Sequence, residues 1–426
     1  MPDRKGYNFD GCAPSQLYAA TVSGNRVVFP SGASYRLLVL PYSHTMSPEL
    51  LEKVESLVKA GASVVGLPPR RAPGLTGYPA SDAAIKNKVN DLWGSYTIPA
   101  IQTERLLGKG KLVWGGDIRF QRDSSVLYPS YEITAGILKQ ADISVDFESP
   151  SAAVRYTHRT GDQWDLYFVS NRTDNLVQTD CLFRIKDAEP WLWDPMTGEI
   201  RKLSEYKLTS GQTTIPFRFL SHQSFFVFFT KHQGRKLPAS PNFPLQKLVT
   251  RLQGSWNLAF DTAWGGPKNI QFDSLQDWST RHEPGIKYYS GAAIYTKVFD
   301  LPQGFTQGGT RLFIDLGDVQ NMARVTLNGQ KLGVVWAQNQ LEITKWILPS
   351  GNRLEVELVN LWPNRLIGDQ NLPEDGIKDN RWPDWLLTNK SRTSKRYTFV
   401  AYQHYKANDP LLRSGLLGPV RILFEN

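Results

Sequence analysis

Asp315-Leu-Gly-Asp-Val319 and Val325-Thr-Leu-Asn-Gly329 are the stretches that decide the fold of the carboxyl-terminal third of the chain. Short runs of alternating apolar residues are separated there by glycine and asparagine turns, a pattern that predicts a β-sandwich. Aromatic rings on the loops of a sandwich have flat apolar faces that suit the apolar side of a sugar ring. This part of the sequence therefore indicates carbohydrate contact, but it does not by itself indicate catalysis.

Length and composition bound the rest of the chain. Its 426 residues are too many for one hydrophobic core and favour about three domains. Lys and Arg outnumber Asp and Glu by 49 to 40, but most basic residues alternate with acids, so no nucleic acid is expected as a partner. No apolar run reaches the ~18 residues of a membrane span, and the first residues lack the apolar core of a signal peptide. The sequence therefore predicts no membrane partner and no export signal in the chain as given, while Cys12 and Cys181 say little about the compartment.

Residues 1–148 predict an α/β domain. Tyr35-Arg-Leu-Leu-Val-Leu-Pro41 is apolar enough for a strand that is buried on both faces. Ser47-Pro48-Glu49 carries the capping residue, the proline and the acid of a helix start, and Gly61 suits the helix end. Ser63-Val-Val-Gly66 then begins the next strand, which completes a β-α-β unit.

The rest of this first region continues the same alternation. Lys111-Leu-Val-Trp-Gly-Gly116 predicts another parallel strand, and residues 130–141 predict another helix. Gly66-Leu-Pro-Pro-Arg70 lies at the carboxyl end of a strand, where open α/β sheets bind ligands, but it lacks the glycine fingerprint of a nucleotide site. A role in packing or assembly is therefore predicted for this region.

Residues 149–236 change to the period of two that is typical of strands and predict a small antiparallel β-domain, with Asp165-Leu-Tyr-Phe-Val-Ser170 as an example. His158-Arg159 at the end of a predicted strand is interpreted as a structural pair, with ligand contact as the alternative. Glycine and prolines without apolar periodicity predict a linker over 237–249, followed by the sandwich over 250–426.

The motifs of a complete active site do not occur in the sequence. A glycosidase needs two facing carboxylates, which commonly lie on a β/α barrel of at least ~200 residues. The carboxylates on predicted loops belong to different regions, and their spacing does not pair them; they are Glu148, Asp261, Asp318, Glu374 and Asp384. The chain alone is therefore predicted to be inactive as a hydrolase, with no catalytic residue, no metal ligand and no cofactor assigned.

Residues 378–413 form the most basic segment, with eight Lys or Arg against three Asp and with interleaved tryptophans and tyrosines. A solvated connection at the edge of the sandwich is one interpretation, and a contact surface for sugars or acidic glycans is the other. We predict weak sugar contact in and near this segment because indole faces stack on pyranose rings, and amide and guanidinium groups bond to hydroxyls. The predicted ligand-binding residues are Trp362, Asn364, Arg365, Trp382, Trp385 and His404. The alternative for the tryptophans is a structural role: Trp362 follows an alternating run and would fill the core, and Trp382-Pro-Asp-Trp385 would be a loop anchored by its own rings.

Nearly the whole chain resembles the carboxyl-terminal part of glycoside hydrolase family 106, the α-L-rhamnosidases. The most specific pieces of the resemblance are Asn360-Leu-Trp-Pro-Asn-Arg-Leu-Ile-Gly-Asp369, Trp382-Pro-Asp-Trp-Leu386 and Ser414-Gly-Leu-Leu-Gly-Pro419. Earlier pieces in the same order include Tyr167-Phe-Val-Ser-Asn171 and Leu192-Trp-Asp-Pro-Met-Thr-Gly198. Many pieces in the right order make coincidence a poor explanation.

The resemblance implies a multidomain fold that combines α/β and all-β parts. It implies an amidotransferase-like or flavodoxin-like α/β domain, a small β-sandwich domain and a galactose-binding-like jelly roll. In that family a catalytic barrel with an active-site calcium precedes these domains, and the full-length protein is periplasmic or secreted. This sequence is expected to begin after the barrel, and no position of it matches a catalytic motif of the family.

Two functions follow from this interpretation. The first is an accessory portion of an α-L-rhamnosidase-like glycoside hydrolase that acts on rhamnose-containing glycans, with carbohydrate and the catalytic barrel as partners. The second is a stand-alone carbohydrate-binding or scaffold protein. A barrel-coding region in the DNA upstream of Met1 would favour the first.

Overall fold

The computed structural model describes residues 5–121, 123, 125–209, 211–230, 240–305 and 311–425. Strands predominate over helices in these ranges, and the buried apolar side chains form separate clusters that span Leu17–Ile137, Phe147–Phe229 and Leu252–Ile422. We call the parts of the chain around them the amino-terminal, middle and carboxyl-terminal units. The first and third clusters each lie within one predicted domain, whereas the middle cluster includes Phe147 from the predicted 1–148 domain, and the exact domain boundaries stay predictions. No helix of the described ranges is long and apolar enough to cross a membrane.

The amino-terminal unit is built around a mixed sheet. Its elements are α1 (Pro14–Ala19), β1 (Thr21–Ser23), β2 (Arg26–Val28), β3 (Ser34–Tyr35), β4 (Leu38–Val39), α2 (Pro48–Ala60), β5 (Ser63–Val65), α3 (Ala80–Trp93), β6 (Gln102–Leu107), β7 (Gly110–Gly115) and α4 (Tyr131–Gln140). The sheet order is β4-β5-β7-β6, parallel except for the β6–β7 pair, and β1, β2 and β3 form a separate antiparallel sheet.

The predicted β-α-β unit is present as β4, α2 and β5. The Ser47 hydroxyl accepts a hydrogen bond from the backbone N–H of Leu50 at 3.2 Å, and Gly61 ends the helix with a φ of 129°. The prediction of one continuous strand over 35–41 is wrong, because Tyr35 pairs with Val27 of β2 whereas β4 pairs with β5. The chain changes sheets within this apolar run. The loop after β5, which lacks the glycine fingerprint of a nucleotide site, is buried over residues 66–69.

The middle unit is an antiparallel two-sheet structure, as the alternation predicts. Its strands are β8 (Phe147–Glu148), β9 (Val154–Thr160), β10 (Trp164–Asn171), β11 (Val177–Phe183), β12 (Glu189–Trp193), β13 (Ile200–Lys202), β14 (Lys207–Thr209), β15 (Gln212–Phe219) and β16 (Ser224–Thr230). One sheet has the order β13-β12-β16-β10-β9 and the other the order β14-β15-β11-β8. Their facing side chains, such as Val227 and Ile215, share one core.

The predicted linker is only partly within the described ranges, since 237–239 lie outside them. Asn242 is buried and donates its side-chain amide to the Glu205 carbonyl at 2.7 Å, and Phe243 packs against Phe217. Residues 240–243 therefore belong to the packing of the middle unit. The end of the predicted linker falls in a strand, since Lys247 begins β17.

The carboxyl-terminal unit is dominated by two antiparallel sheets around one core. Its elements are β17 (Lys247–Arg251), β18 (Trp256–Phe260), β19 (Ile270–Phe272), α5 (Pro284–Lys287), β20 (Ala292–Phe299), β21 (Arg311–Asp315), β22 (Asp318–Gln320), β23 (Met322–Leu327), β24 (Gln330–Val335), β25 (Gln340–Glu342), β26 (Asn352–Val359), α6 (Pro363–Asp369), α7 (Asp384–Leu387), β27 (Gly415–Gly418) and β28 (Arg421–Glu425), with short 3-10 helices at Thr262–Trp264 and Trp278–Thr280. The sheet orders are β17-β28-β21-β25 and β19-β18-β20-β26-β23-β24, and β22 pairs with β27. The predicted alternating strands are confirmed, with Ile314 and Val356 as core residues of the two sheets.

Candidate carbohydrate-contact surface

The segment from 360 to 414 connects β26 to β27 and holds all six predicted ligand-binding residues. Its two ends are tied together by Asn360, whose side-chain amide donates to the Tyr289 carbonyl at 2.8 Å and to the Ser414 hydroxyl at 3.1 Å. The side-chain amide oxygen (Oδ1) of Asn360 accepts from the backbone N–H of Gly291 at 2.9 Å. The long excursion therefore starts and ends at one fixed point on the sandwich.

Asn364 strengthens the same point rather than facing solvent. It is 1% exposed, its amide donates to the Leu412 carbonyl at 2.7 Å, and its oxygen accepts from the Leu412 backbone N–H at 2.8 Å. This pair of bonds holds the end of the segment against the first turn of α6. Asn364 was predicted as a sugar contact, but its amide is engaged within the chain.

Asp369, at the end of α6, fixes the middle of the segment. One of its carboxylate oxygens accepts from the backbone N–H groups of Tyr397 and Thr398, at 2.9 and 2.7 Å, and from the Thr398 hydroxyl at 2.8 Å. The carboxylate is 1% exposed. A buried charge with three donors on one oxygen is a strong local constraint, because removing it would leave those donors unsatisfied.

A second carboxylate, Asp375, fixes the same stretch from the other side. Its two oxygens accept from Nε and Nη2 of Arg392 at 2.7 and 2.8 Å, and it also accepts from the Ser394 hydroxyl. The Arg392 guanidinium holds the pKa of Asp375 below its ordinary value, with the Ser394 hydroxyl contributing. Arg392 also donates to the Thr398 carbonyl at 2.7 Å. The backbone at Thr398 is therefore held by Asp369 directly and by Asp375 through Arg392.

Trp362, Trp264, Tyr397 and Arg365 form what we call the Trp362 cluster. The Trp362 and Trp264 rings meet edge to face at 5.1 Å, and Trp362 is 48% exposed. Arg365 is 4% exposed, donates to the Trp264 carbonyl at 3.0 Å and lies 4.4 Å from the Tyr397 ring centre. Burial lowers the pKa of Arg365. Trp362 therefore presents an aromatic surface, whereas the buried Arg365 holds that surface in place.

Trp382, Trp385, Phe399 and Arg392 form what we call the Trp382 cluster. Trp382 is 53% exposed and stacks on Phe399 with ring centres 5.9 Å apart and an angle of 8°. The Trp385 indole N–H donates to the Asp375 carbonyl at 2.8 Å, and the Arg392 guanidinium lies 4.9 Å from its ring centre. Trp385 is thus largely engaged in holding the segment, and Trp382 is the ring that faces solvent.

The predicted six residues are therefore only partly brought together. Tyr397 and Phe399 attach both clusters to one stretch of backbone, while His404 is exposed and contacts the Tyr405 ring at 4.9 Å. Sequence reasoning missed Trp264 and Phe399. The sequence does contain a signal for Phe399: it lies two residues after Tyr397, on a stretch without apolar periodicity.

Three of the five loop carboxylates considered as catalytic candidates, Asp261, Asp318 and Glu374, have structural partners. Asp261 caps the 3-10 helix through the backbone N–H of Ala263 at 2.9 Å, and Asp318 pairs with Arg413 at 2.8 Å. Within the described ranges, no group of three or more His, Cys, Asp or Glu side chains is placed to hold a metal ion. Cys12 and Cys181 are both free thiols.

His158 lies in a cluster of partly buried ionisable groups in the middle unit. Its Nδ1 is 2.9 Å from Asp146 and its Nε2 is 2.9 Å from Asp165, while its ring stacks on Tyr167 at 3.9 Å. Burial alone would lower the pKa of His158, but the hydrogen bonds and charges of the two carboxylates raise it. Arg184 donates to Asp146 at 3.0 Å. The structural interpretation of His158 fits this geometry, but its partners are two aspartates and not the predicted Arg159.

Comparison with known proteins places the chain near one family of sugar hydrolases. Residues 2–208 match the family Glyco_hydro_106, described as alpha-L-rhamnosidase. The chain is rhamnosidase-like. The structure of rhamnosidase from Novosphingobium sp. PP1Y is similar with a TM-score of 0.73 and 29% identity, over 96% of this chain and 35% of that chain. The predicted resemblance to this family is thereby supported in its coarse form.

A second relative is also longer than this chain. A protein of Formosa agariphila named as a beta-glucuronidase is 22% identical over 99% of this chain and 53% of its own length. The chain thus spans about half the length of that relative and about a third of the solved rhamnosidase. Both relatives bear the names of glycoside hydrolases.

Proposed function

We propose that this chain is an accessory portion of an α-L-rhamnosidase-like glycoside hydrolase whose catalytic barrel lies outside it. The observation that carries the proposal is the match to the Novosphingobium rhamnosidase, which extends over 96% of this chain but only 35% of that one. The larger part of a rhamnosidase-like protein is thus outside the matched region. Among the loop carboxylates, Asp261 also serves as a helix cap and Asp318 as an ion-pair partner.

Within this proposal, each unit has a domain type. The amino-terminal unit is the amidotransferase-like domain, the middle unit is a small β-sandwich, and the carboxyl-terminal unit is a galactose-binding-like jelly roll. The sheet orders of the carboxyl-terminal unit and its single shared core support the last assignment.

The proposed contact surface for rhamnose-containing glycans consists of the Trp362 and Trp382 clusters. Trp362 and Trp382 each expose about half of their surface, and an exposed indole offers an apolar face to a pyranose ring. The carboxylates of Asp369 and Asp375 hold the backbone between the clusters, which limits the ordering cost of binding. Single stacked rings give weak affinity, so binding in the millimolar range is expected.

A titration with rhamnose-containing oligosaccharides tests the surface. Trp362→Ala and Trp382→Ala should each weaken binding several-fold, since each removes one exposed ring. The matched control is Trp336→Ala, because Trp336 is 59% exposed in the same unit but outside the 360–414 segment. Absence of saturable binding by the wild type, or equal binding by all four proteins, would remove the sugar surface from the proposal.

A hydrolysis assay tests the accessory role. The purified chain should release no rhamnose from an α-L-rhamnoside above a buffer blank. Turnover that disappears when a single acid of this chain is replaced would show that the chain carries its own catalytic residue.

A further inference from the structure

The five-stranded sheet of the middle unit is apolar on both faces. In β16 the side chains of Phe225, Val227 and Phe229 are buried in the core, and the intervening Phe226 and Phe228 lie on the opposite face. An antiparallel sheet at a protein surface usually has one apolar face and one polar face. The alternation of β16 departs from that rule because all of its central residues are apolar.

Strand register extends this outer face across neighbouring strands. Phe228 pairs with Leu166 of β10 and Trp191 of β12, and Phe226 pairs in the same way with Phe168 and Trp193. We call these six side chains the aromatic face. Their rings contact one another, with Trp193 and Phe228 stacked at 5.0 Å and Phe168 and Phe226 at 5.1 Å.

The aromatic face is uncovered by the described parts of the chain. Each of its six side chains is partly exposed, and within the described ranges none belongs to or packs against the three core clusters. Contiguous apolar patches at a protein surface are candidate interaction sites, and this one consists of six partly exposed side chains. Interfaces are enriched in Trp and Phe in the same way.

We propose that the aromatic face is the docking surface for the folded polypeptide that longer rhamnosidase-like relatives carry outside the region matched by this chain. The inference rests on the proposed accessory function and names the surface through which it acts. Length supports this occupant, since 65% of the Novosphingobium rhamnosidase and 47% of the Formosa protein lie outside the match (100 − 35 and 100 − 53).

The path of the chain supports the same occupant. The Gly6 carbonyl accepts from the backbone N–H of Asp146 at 2.8 Å, and Asn8 donates its side-chain amide to the His158 carbonyl at 3.3 Å. His158 belongs to β9, the edge strand of the sheet that carries the aromatic face. Gly6 and Asn8, near the start of the described chain, therefore lie at the edge of this sheet.

The chemistry of the aromatic face favours a protein surface over a sugar. Its hydrogen-bonding side-chain groups are the indole N–H groups of Trp191 and Trp193, whereas a sugar needs several polar partners for its hydroxyls. Arg159 of β9 lies beside the face, whereas Lys202 beside Trp191 is paired with Glu189 at 3.0 Å. The docked surface should therefore be apolar at its centre with carboxylates near β9.

A binding experiment tests the assignment. The probe is the part of the Novosphingobium rhamnosidase outside the match, produced as a separate polypeptide whose folding is checked by circular dichroism. The wild-type chain should bind it saturably, and Phe168→Ser with Phe226→Ser should weaken binding by about tenfold or more, since central aromatic residues dominate interfaces. The matched control is Ile294→Ser with Val334→Ser, on the outer face of the other large sheet, where these side chains are 43% and 55% exposed.

Footprinting adds a readout that a general loss of stability would not produce. Hydroxyl-radical labelling of peptides that contain Leu166–Phe168 and Phe226–Phe228 should fall when the probe is bound and stay unchanged at Ile294. Thermal melting of each variant confirms that it is folded.

Several outcomes would overturn the docking assignment. These are no saturable binding by the wild type, equal weakening by both double variants, or labelling that does not change on the aromatic face. Self-association of the wild type that the Phe168/Phe226 variant abolishes would make a second copy the occupant, and binding to insoluble polysaccharide lost in that variant would make it a glycan surface. The Phe168/Phe226 variant should bind oligosaccharides like the wild type, so failure of docking is separable from failure of the sugar surface.

Discussion

Two regions of the molecule present clustered aromatic rings to solvent, and they are held in different ways. On the aromatic face of the middle unit, Phe226 and Phe228 are set by strand register and backbone hydrogen bonds. In the 360–414 segment, Trp362 and Trp382 are set by helix ends, ion pairs and a buried carboxylate, that of Asp369. The two groups of exposed aromatic rings therefore differ in what positions them. Strand pairing positions the rings of the sheet, whereas interactions of charged side chains position the rings of the 360–414 segment. The four predictions that follow test this difference.

The largest effect is expected from Asp369→Ala. Two backbone N–H groups and the Thr398 hydroxyl would lose their shared acceptor in a buried place, and the free energy of unfolding should fall by about 3 kcal/mol. Denaturant unfolding and near-ultraviolet circular dichroism of the tryptophans measure it. Asp384→Ala in the same segment is the control, since Asp384 is exposed and its loss should cost less than about 1 kcal/mol. Equal losses would show that the segment does not depend on the buried carboxylate.

The second prediction concerns pH and the buried groups beneath the sheet. The folded-state pKa of His158 is raised above its ordinary value, so its contribution to stability is complete below pH ~6.5 and is lost as the pH rises through the folded value. We expect the free energy of unfolding to fall as the pH rises through the folded-state pKa of His158. Asp165→Asn should lower the pKa of His158 in an NMR titration and reduce this pH dependence.

A surface pair provides the control for that titration. His222 lies 2.9 Å from Asp174, but both side chains are more than half exposed. Asp174→Asn should therefore leave the pH dependence of unfolding unchanged. If Asp165→Asn also leaves it unchanged, the Asp146–His158–Asp165 set is not what links stability to pH.

The third prediction concerns the ion pair between Asp375 and Arg392 in the 360–414 segment. Asp375→Asn removes the charge that Arg392 grips with two hydrogen bonds, and the free energy of unfolding should fall by about 1.5 kcal/mol. Oligosaccharide binding should weaken as well, because Trp385 and Phe399 rest on this pair. The control is Glu374→Gln at the adjacent position, since Glu374 meets Lys378 at 3.7 Å on the surface. Equal changes of stability and of binding in the two variants would show that the Asp375–Arg392 ion pair does not hold the segment.

The smallest effect is expected on the aromatic face. Phe168→Ser should change the free energy of unfolding by at most about 1 kcal/mol, because the ring is partly exposed and contributes mainly one cross-strand contact. It should also reduce binding of an apolar dye to the isolated chain. The neighbouring Val169→Ser faces the core, is 0% exposed and should cost about 3 kcal/mol. A large loss from Phe168→Ser would mean that the face is covered within the chain.

Much of the fold could be predicted from local signals. The start and end of α2 follow from Ser47 and Gly61, and the alternation of β10 and β26 follows from the sequence period. Helix α3 was missed although Ile85, Val89 and Leu92 show helical spacing. The single strand expected over 35–41 is divided between two sheets, because strand partners are chosen by distant residues.

The candidate site was predicted less well than the fold. Trp362 was expected either to fill the core or to contact sugar, and it is exposed because β26 ends at Val359 and Pro363 begins α6. Asn364 and Arg365 lie in the first turns of α6 and face inward. No local pattern distinguishes an inward from an outward polar residue at a helix start.

The sequence by itself determined the kinds of structure along the chain and the family resemblance, because periodicity, capping residues and motif order are local. Which aromatic rings face solvent was decided only by the tertiary structure. The Tyr397 backbone is placed by Asp369, and the Trp385 ring by Arg392 and Asp375, through bonds that join residues distant in the chain. On the middle unit, period two fixes which side of β16 each Phe occupies, but only the packing of the whole molecule shows that one side is left uncovered.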